Sequence, residues 1–198
     1  MDEPGRPGEG AARERILREA WTMVEAGRIG DLTMTAVGKA AGVSRQTVYV
    51  QFGTRAGLLV QMVRERDATN PRQEQLTAAL EEADAVEGLA AVTRVLAAWW
   101  KDINPIAQAL FAAALTDDGA RAAWDDRMEH LHELAHQVVG RLDAAGVLAP
   151  GWDVAHATDW LANQLNPLGW VLLIEAGWSQ RAYEERMTTV VQAVLVGK

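Results

Sequence analysis

Residues 32–59 decide the fold, and their sequence is LTMTAVGKAAGVSRQTVYVQFGTRAGLL. Thr33 is a good N-cap, because its side-chain oxygen can accept a hydrogen bond from the first turn of a helix. We predict that this helix covers 34–41. Gly42 and Val43 then form a tight turn, since glycine readily adopts the backbone conformation that ends a helix. The stretch therefore begins with a short capped helix and a glycine turn.

A second short helix follows this turn. Ser44 caps it, and we predict that it covers 45–50 before a break at 51–53. Thr54 caps a longer helix that runs to about residue 67. A glycine turn between two short helices lets them cross steeply, so that the second helix projects outward. The pattern predicts a helix-turn-helix followed by a further helix that docks on the phosphate backbone.

The second short helix carries side chains that suit nucleic acid. Arg45, Gln46 and Tyr49 lie on its polar side, and in the major groove arginine pairs with guanine and glutamine with adenine. The hydroxyls of Thr47 and Tyr49 suit phosphate oxygens. The Ser44 cap leaves the positive end of the helix dipole facing outward, where it favours a phosphate. We therefore predict that this helix binds double-stranded DNA.

The distribution of charge supports this prediction, although the net charge is −8. Between residues 32 and 64 the chain has four cations and no acidic residue, whereas 61–198 carry 11 basic and 20 acidic residues. The four cations are Lys39, Arg45, Arg55 and Arg64. Local potential decides whether phosphates approach a surface. One short segment is thus locally positive on an otherwise acidic chain.

The composition is that of a globular protein, with 198 residues of which 49% are hydrophobic and 23% charged. The chain has no cysteine, which excludes disulfides, thiolate zinc sites and cysteine nucleophiles. Residues 1–10 lack the apolar core of a signal peptide, and the longest strongly apolar run, 168–174, is far shorter than a membrane span. We therefore expect a cytoplasmic protein with no membrane partner.

The rest of the chain has helical periodicity, so the sequence predicts an all-α fold. Asn104 and Pro105 have the pattern of a helix start, and Pro167 should kink the helix that contains it. We expect a disordered arm at 1–11, a DNA-binding domain at 12–66 and a helical domain at 67–198. The remaining predicted helices are 12–26, 71–82, 85–102, 105–115, 119–145, 153–176 and 180–196.

The N-terminal segment, 13–59, resembles the N-terminal domain of TetR-type repressors. The matching positions are Leu32, Thr33, Met34, Val37, Ala41, Gly42, Val43, Ser44, Thr47, Val48, Tyr49, Phe52, Gly53, Thr54, Leu58 and Leu59. The resemblance implies a three-helix DNA-binding domain whose recognition helix is 44–50. By position, it implies base contacts mainly at Arg45, Gln46 and Tyr49. It implies phosphate contacts at Thr33, Ser44, Thr47, Tyr49, Gln51 and Arg55.

Four positions depart from the family pattern. Gln51 replaces the usual histidine or other ring-bearing or basic residue, and Arg55 replaces the usual lysine while keeping its charge. Gly38 stands where the family usually has alanine, and Gly57 replaces a common glutamate. We expect each glycine to loosen its helix by roughly 1 kcal/mol relative to alanine.

The resemblance also implies that the chain from about residue 70 forms a ligand-binding and dimerisation domain. Its last two helices would pair with their copies in a four-helix bundle. The sequence supports this independently, because these helices are more apolar than one thin core stripe requires, although a thick monomeric core is the alternative. The candidate dimerisation residues are Leu161, Leu165, Leu168, Leu172, Met187, Val191 and Val194.

Tryptophans are abundant in the C-terminal part, and large aromatic side chains can line an apolar pocket between helices. Each tryptophan could instead belong to the core or to an interface. Acidic residues near them would suit a lipophilic cation, but surface positions explain most of these acids equally well. The candidate ligand-binding residues are Trp99, Trp100, Trp124, His132, His136, Trp160 and Trp170.

The segment His132 to His136 has the sequence HELAH, which matches the H-E-x-x-H pattern of zinc proteases. The longer form of that pattern needs a glycine and a further ligand, but Val139 and Leu142 occupy those positions. His132 and His136 lie beside the apolar stripe of a long helix, which favours a structural or solvent-facing role. We therefore predict no metal and no cofactor.

Taken together, these features predict a regulator of transcription and no enzyme. We expect a homodimeric repressor that binds a palindromic DNA operator and is released by a small apolar or amphipathic effector. A zinc-dependent hydrolase built on His132, Glu133 and His136 is one alternative. A purely structural helical dimer is the other.

Overall fold

The computed structural model describes residues 9–68 and 72–197, and across these ranges the protein is all-α, as predicted. A short 3-10 turn at Ile29–Asp31 separates the first two helices. Within the described ranges no helix is long and apolar enough to cross a membrane. The helices are α1 Glu9–Glu25, α2 Met34–Ala40, α3 Arg45–Phe52, α4 Arg55–Ala68, α5 Arg72–Leu80, α6 Ala85–Ala114, α7 Asp118–Ala144, α8 Val154–Gln164, α9 Pro167–Glu175 and α10 Gln180–Leu195.

The N-terminal helices differ from the prediction at two of their ends. Helix α1 begins at Glu9, so residues 9–11 are helical and do not belong to an arm, while the rest of the predicted arm, 1–8, lies outside the described residues. Helix α3 continues to Phe52, where we predicted a break from residue 51. Phe52 is buried, and this burial favours an extra half-turn of helix before Gly53 ends it with a φ of 69°.

Two predicted helices, 85–102 and 105–115, are one continuous helix, α6. The predicted start at Asn104 and Pro105 was therefore wrong. A proline inside a helix removes one backbone hydrogen bond, and packing can compensate for this loss. On α6, Trp100 before the proline and Ile106 and Leu110 after it are all buried.

The predicted helix 153–176 is two helices, α8 and α9, so the expected kink at Pro167 is a full break. The side chain of Asn166 accepts a hydrogen bond from the backbone N–H of Leu168, and Pro167 occupies the first turn of α9. A capped start with proline at the first helical position is favourable, because the missing N–H would have no intrahelical partner there.

The chain divides into two compact units. The first contains the described residues up to 68 together with 105–124, and the second contains 72–104 and 125–197. Helices α6 and α7 therefore each contribute to both units. No sequence signal predicted that 105–124 would group with the N-terminal helices. The proposed functional division near residues 66–72 stays a prediction.

The first unit packs α1 against α3 and α4 around a dense apolar core. Two arginines of this unit add contacts at its edges. The Arg13 guanidinium lies 4.9 Å from the centre of the Phe52 ring and donates a hydrogen bond to Gln61 Oε1 at 2.7 Å. Arg66 lies 4.6 Å from the centre of the Trp21 ring. The core includes Ile16, Leu17, Ala20, Leu32, Val37, Val48, Leu58, Leu59 and Met62.

In the second unit, side-chain hydrogen bonds connect the helices that surround the core. Trp100 Nε1 donates to the carbonyl of Leu165 at 3.0 Å, which joins α6 to the end of α8. Trp170 Nε1 donates to Gln180 Oε1 at 2.9 Å, and Gln180 Nε2 donates to the carbonyl of Ala97 at 2.9 Å. These bonds fix α6, α9 and α10 relative to one another, since a buried polar group left unpaired is costly.

Candidate nucleic-acid interface

The turn between α2 and α3 is built from the residues that the sequence singled out. Gly42 has a φ of 66°, a conformation that favours glycine, and the N–H of Val43 donates to the carbonyl of Gly38 at 2.9 Å. Ser44 then caps α3, since its Oγ accepts from the N–H of Thr47 at 3.0 Å. The two hydroxyls of Ser44 and Thr47 are also 2.9 Å apart. The cap thus sets the start of α3 and leaves the N–H groups of Arg45 and Gln46 at an exposed helix end.

Helix α3 has one face in the core and one in solvent. Val48 and Phe52 are buried. On the outer face, the predicted base-contacting residues Arg45, Gln46 and Tyr49 are all exposed, with Tyr49 59% accessible. The structure therefore brings these three side chains together on one surface, and their contacts with DNA stay predictions.

Val50 is 73% exposed on α3, and the sequence predicted no role for it. It lies four residues after Gln46, so the two side chains are neighbours on the helix surface. The sequence carried one signal that Val50 lies on the outer face, which is its position four residues after the predicted base-contacting residue Gln46. The outer face of α3 consequently includes one apolar side chain among polar ones.

The approach of α2 to α3 depends on Gly38. A Cβ at this position would lie 3.1 Å from the carbonyl oxygen of Val43 and 3.2 Å from Cγ2 of Val48. The expectation that this glycine merely loosens its helix is therefore incomplete. Its missing side chain lets the two helices of the motif pack closely. Thr33 starts α2 as predicted, accepting from the N–H of Ala36 at 3.1 Å.

Gly57, in the first turn of α4, has a similar role, and the expectation that it merely loosens its helix is again incomplete. A Cβ at Gly57 would overlap the carbonyl oxygen of Phe52. The N–H of Gly57 donates to Thr54 Oγ1 at 3.0 Å, which caps α4. Alanine at this position would force a backbone shift between α3 and α4, so the helix propensity of alanine does not decide the outcome.

Arg55 was predicted to contact a phosphate, but its guanidinium is already engaged within the unit. Its Nε donates to the carbonyl of Leu32 at 2.8 Å and its Nη2 to the carbonyl of Ile29 at 3.2 Å. These bonds attach the start of α4 to the segment before α2. A phosphate contact by Arg55 stays a prediction. Gln51, the other departure from the family pattern, is half-buried on α3.

Lys39, Arg45 and Arg64 are exposed cations of the acid-free segment. On α2 and α3, Lys39, Arg45 and the helix end at Ser44 give the surface a positive local potential. An exposed positive face with hydrogen-bonding side chains suits a polyanion that also presents base edges. The geometry of α2 and α3 is therefore that of a surface for duplex DNA.

The predicted ligand-binding tryptophans fall into different settings. Trp100 and Trp170 are buried with their Nε1 groups paired as described above, and Trp160 is half-buried with its ring 5.8 Å from that of Trp152. The Nε1 of Trp99 is buried and has no hydrogen-bond partner among the described residues. Trp124 belongs to the first unit, where its ring lies 5.0 Å from that of Phe111. The structure thus does not bring all five tryptophans into one unit.

His132 and His136 are exposed on α7. His132 Nε2 lies 2.9 Å from Asp159 Oδ1, and His136 Nδ1 lies 3.5 Å from Thr158 Oγ1. In the part of the chain that the structure describes, no group of three or more histidine or acidic side chains could hold a metal ion. The zinc-hydrolase alternative therefore gains no support from the geometry.

The candidate dimerisation residues also divide into two groups. Leu161, Leu165 and Val191 are fully buried within one chain, so they belong to the core of the second unit. Leu172 is 67% exposed, and three others are half-buried. Only the partly exposed residues can contact another chain directly. The half-buried residues are Leu168, Met187 and Val194.

Comparisons with known proteins agree with this description. Residues 16–62 match the family model of bacterial regulatory proteins of the tetR family. A protein from Saccharomonospora viridis, described as a transcriptional regulator in complex with choline, has a TM-score of 0.77 at 18% identity, with 96% of this chain and 100% of that chain covered. The sequence has no match among curated proteins.

Two further solved structures are similar across nearly the whole chain. The SmeT–triclosan complex has a TM-score of 0.70 at 16% identity, covering 95% of this chain and 93% of that chain. NalD from Pseudomonas aeruginosa, described as the secondary repressor of the MexAB-OprM multidrug efflux pump, has a TM-score of 0.64 at 20% identity, covering 96% and 97%. At these identities the likeness concerns the fold.

Proposed function

We propose that this chain is a ligand-responsive transcriptional repressor of the tetR family, and the match of residues 16–62 to that family's model supports the proposal. It binds a palindromic operator as a homodimer and is released from DNA by a small apolar or amphipathic effector. The observation that carries the proposal is the outer face of α3. That face presents Arg45, Gln46 and Tyr49 from a capped helix inside a segment without acidic residues.

A dimer follows from the small size of the DNA-binding surface. One three-helix module makes few base contacts, and a two-fold pair doubles them. The two recognition helices would enter successive major grooves about 34 Å apart. Exposed Leu172 and half-buried Leu168, Met187 and Val194 support an interface built from α9 and α10.

The effector would bind among the helices of the second unit, which is rich in tryptophan. The choline and triclosan complexes of similar fold support a small amphipathic or apolar ligand. Binding would tilt α4 and change the separation of the recognition helices. Helices α6 and α7 each contribute residues to both units. A ligand that displaces them in the second unit would therefore also act on the first unit. The effector shifts the population only by its difference in affinity for the two states.

The first experiment selects bound DNA from a random duplex pool with the full chain. We expect a palindrome, which supports both DNA recognition and dimerisation. Arg45→Ala should weaken binding to the selected operator by about ten- to hundredfold, because a bidentate contact with guanine contributes this much discrimination. Arg94→Ala on α6 is the matched control, since Arg94 is also an exposed arginine and lies outside α3 and outside the proposed dimer interface. Equal binding by both variants would contradict the proposal.

A second experiment tests the effector mechanism. The chain has no cysteine, so Ala40→Cys on the exposed side of α2 gives one spin-label site per protomer. Choline and triclosan are first tested for whether they raise the midpoint of thermal unfolding. The distance between the two labels is then measured with and without the ligand that does. We expect a ligand that lowers DNA affinity to change this distance. Unchanged spacing with lost DNA affinity would contradict the proposed tilt of α4. Retained DNA affinity with every stabilising ligand would contradict the effector response.

A further inference from the structure

Helix α3 contains two valines that the structure uses in opposite ways. Val48 is fully buried and belongs to the core of the first unit, whereas Val50 is 73% exposed. A β-branched residue is slightly unfavourable in a helix and is normally compensated by packing. Because Val50 is mostly exposed, packing within the chain compensates little of this cost. The folded protein alone therefore does not explain an apolar side chain at this position.

The surroundings of Val50 indicate what covers it. Val50 lies one helical turn after Gln46 and adjoins Tyr49 in sequence, so it shares the outer face on which the proposed base contacts stand. The segment from 32 to 64 has cations and no acidic residue. A surface with this charge is complementary to a polyanion such as the DNA duplex. Val50 is thus placed to enter the same groove as Gln46.

The major groove presents one apolar group, the 5-methyl of thymine. The nitrogen and oxygen atoms at its floor are hydrogen-bond donors or acceptors, which an isopropyl group cannot satisfy. The χ1 angle of valine in a helix has one strongly preferred rotamer, so its two methyl groups are held in place with little loss of entropy. A fixed apolar group on a DNA-facing helix is therefore complementary to thymine.

We propose that Val50 is a specificity-determining residue that recognises the 5-methyl group of one thymine in each half-site. The inference rests on the proposed DNA-binding function and adds to it a base that the polar residues do not select. Val50 is four residues, about 6 Å, along the helix from Gln46, and base pairs are about 3.4 Å apart. The thymine should accordingly lie one or two base pairs from the base that Gln46 contacts.

The test uses the operator selected by the full chain and duplexes in which single thymines are replaced by deoxyuridine. Uracil pairs as thymine does and lacks only the methyl group. We expect one thymine per half-site whose replacement weakens binding about fourfold, which corresponds to one methyl removed from an apolar contact. Replacement in both half-sites should weaken binding roughly fifteenfold.

Variants then assign this effect to Val50. In Val50→Ala, the ratio of thymine to deoxyuridine affinity should fall towards one, while Val50→Ile should retain it. Arg45→Ala should weaken both duplexes and leave the ratio unchanged. Leu115→Ala, at an apolar residue that is 64% exposed after α6, should change neither. Unchanged thermal midpoints show that the variants fold.

The outcomes separate this inference from the function on which it rests. If the chain selects DNA and Arg45→Ala weakens binding, but no thymine methyl matters, Val50 is not a specificity residue and the proposed function stands. A methyl effect that persists in Val50→Ala also overturns the inference. If no DNA is selected, both the function and the inference fall.

Discussion

The two units use their polar side chains differently. In the first unit, polar side chains bind backbone groups at turns and helix ends, as Thr33, Ser44 and Arg55 do, and they leave the outer face of α3 in solvent. In the second unit, polar side chains reach between helices, as Gln180 does between α9 and α6. The first arrangement shapes a surface, whereas the second fixes the packing of a core.

This difference separates two kinds of substitution. Changes on the outer face of α3 should alter DNA binding and leave stability unchanged, because those side chains contribute little to the core. Changes at turns, close approaches and buried polar bonds should alter stability first. The substitutions below test this separation in order of expected effect.

The largest effect on stability should come from Gly57→Ala. The new Cβ would overlap the Phe52 carbonyl, and overpacking of this kind typically costs about 1–3 kcal/mol. We expect the free energy of unfolding to fall by about 2–3 kcal/mol in urea denaturation. Gly140→Ala in α7 is the matched control, since a Cβ there meets nothing within 4 Å. It should stabilise the protein by about 0.5–1 kcal/mol. Stabilisation by both substitutions would show that helix propensity decides both sites.

Gln180→Leu should lower the free energy of unfolding by about 1–3 kcal/mol, because it leaves the buried Nε1 of Trp170 without its acceptor. Gln137→Leu, at an exposed position of α7, is the matched control and should have little effect. In a double-mutant cycle, Trp170→Phe and Gln180→Leu should be less than additive, since both break the same bond. Strict additivity would mean that the bond contributes nothing to the packing of α9.

Arg55→Ala tests whether this residue stabilises the first unit or contacts a DNA phosphate. Loss of its bonds to Leu32 and Ile29 should lower the free energy of unfolding by about 1–2 kcal/mol. In this variant, the slope of the logarithm of DNA affinity against the logarithm of salt concentration should be the same as in the unaltered chain. Removal of a cation that contacts a DNA phosphate reduces this slope by about one. Lys39→Ala, at an exposed cation of the same acid-free segment, is the comparison. A reduced slope in Arg55→Ala would restore its predicted phosphate contact.

Much of the first unit was predictable because its signals are local. A cap such as Ser44 and a turn such as Gly42 act within a few residues, so sequence alone places α2 and α3 and the polar face of α3. The role of Gly57 was not predictable, because it depends on the position of the Phe52 carbonyl across a turn. Helix propensity describes an isolated helix and carries no information on such an approach.

The second unit was predictable as helix but not in its detail. The break at Asn166 and the continuity of α6 through Pro105 depend on which neighbour compensates each lost backbone bond. The apolar pattern likewise could not separate Leu161, which is buried within one chain, from Leu172, which is exposed. Periodicity identifies an apolar face, whereas burial depends on the other helices that pack against it.

The smallest expected effect is electrostatic and lies at the start of α8. The side-chain hydrogen bond and charge of Asp153 raise the pKa of His156 above its ordinary value of 6.5, and the ring nitrogen lies 2.7 Å from the carboxylate. The backbone N–H of His156, followed by its side chain, lowers the pKa of Asp153. Any stability from this pair is therefore lost as pH rises through the raised pKa of His156. It is also lost as pH falls through the lowered pKa of Asp153.

Asp153→Asn removes the charge and keeps a side-chain oxygen that can cap α8. We expect the titration midpoint of His156, followed by NMR, to move down towards its ordinary value. Asp159→Asn should produce a smaller change in the same direction, because the Asp159 charge is the weakest of the named influences on His156. An unchanged midpoint in Asp153→Asn would mean that the pair does not persist in solution. Polar contacts in the second unit would then stabilise only where, as at Gln180, they are withdrawn from water.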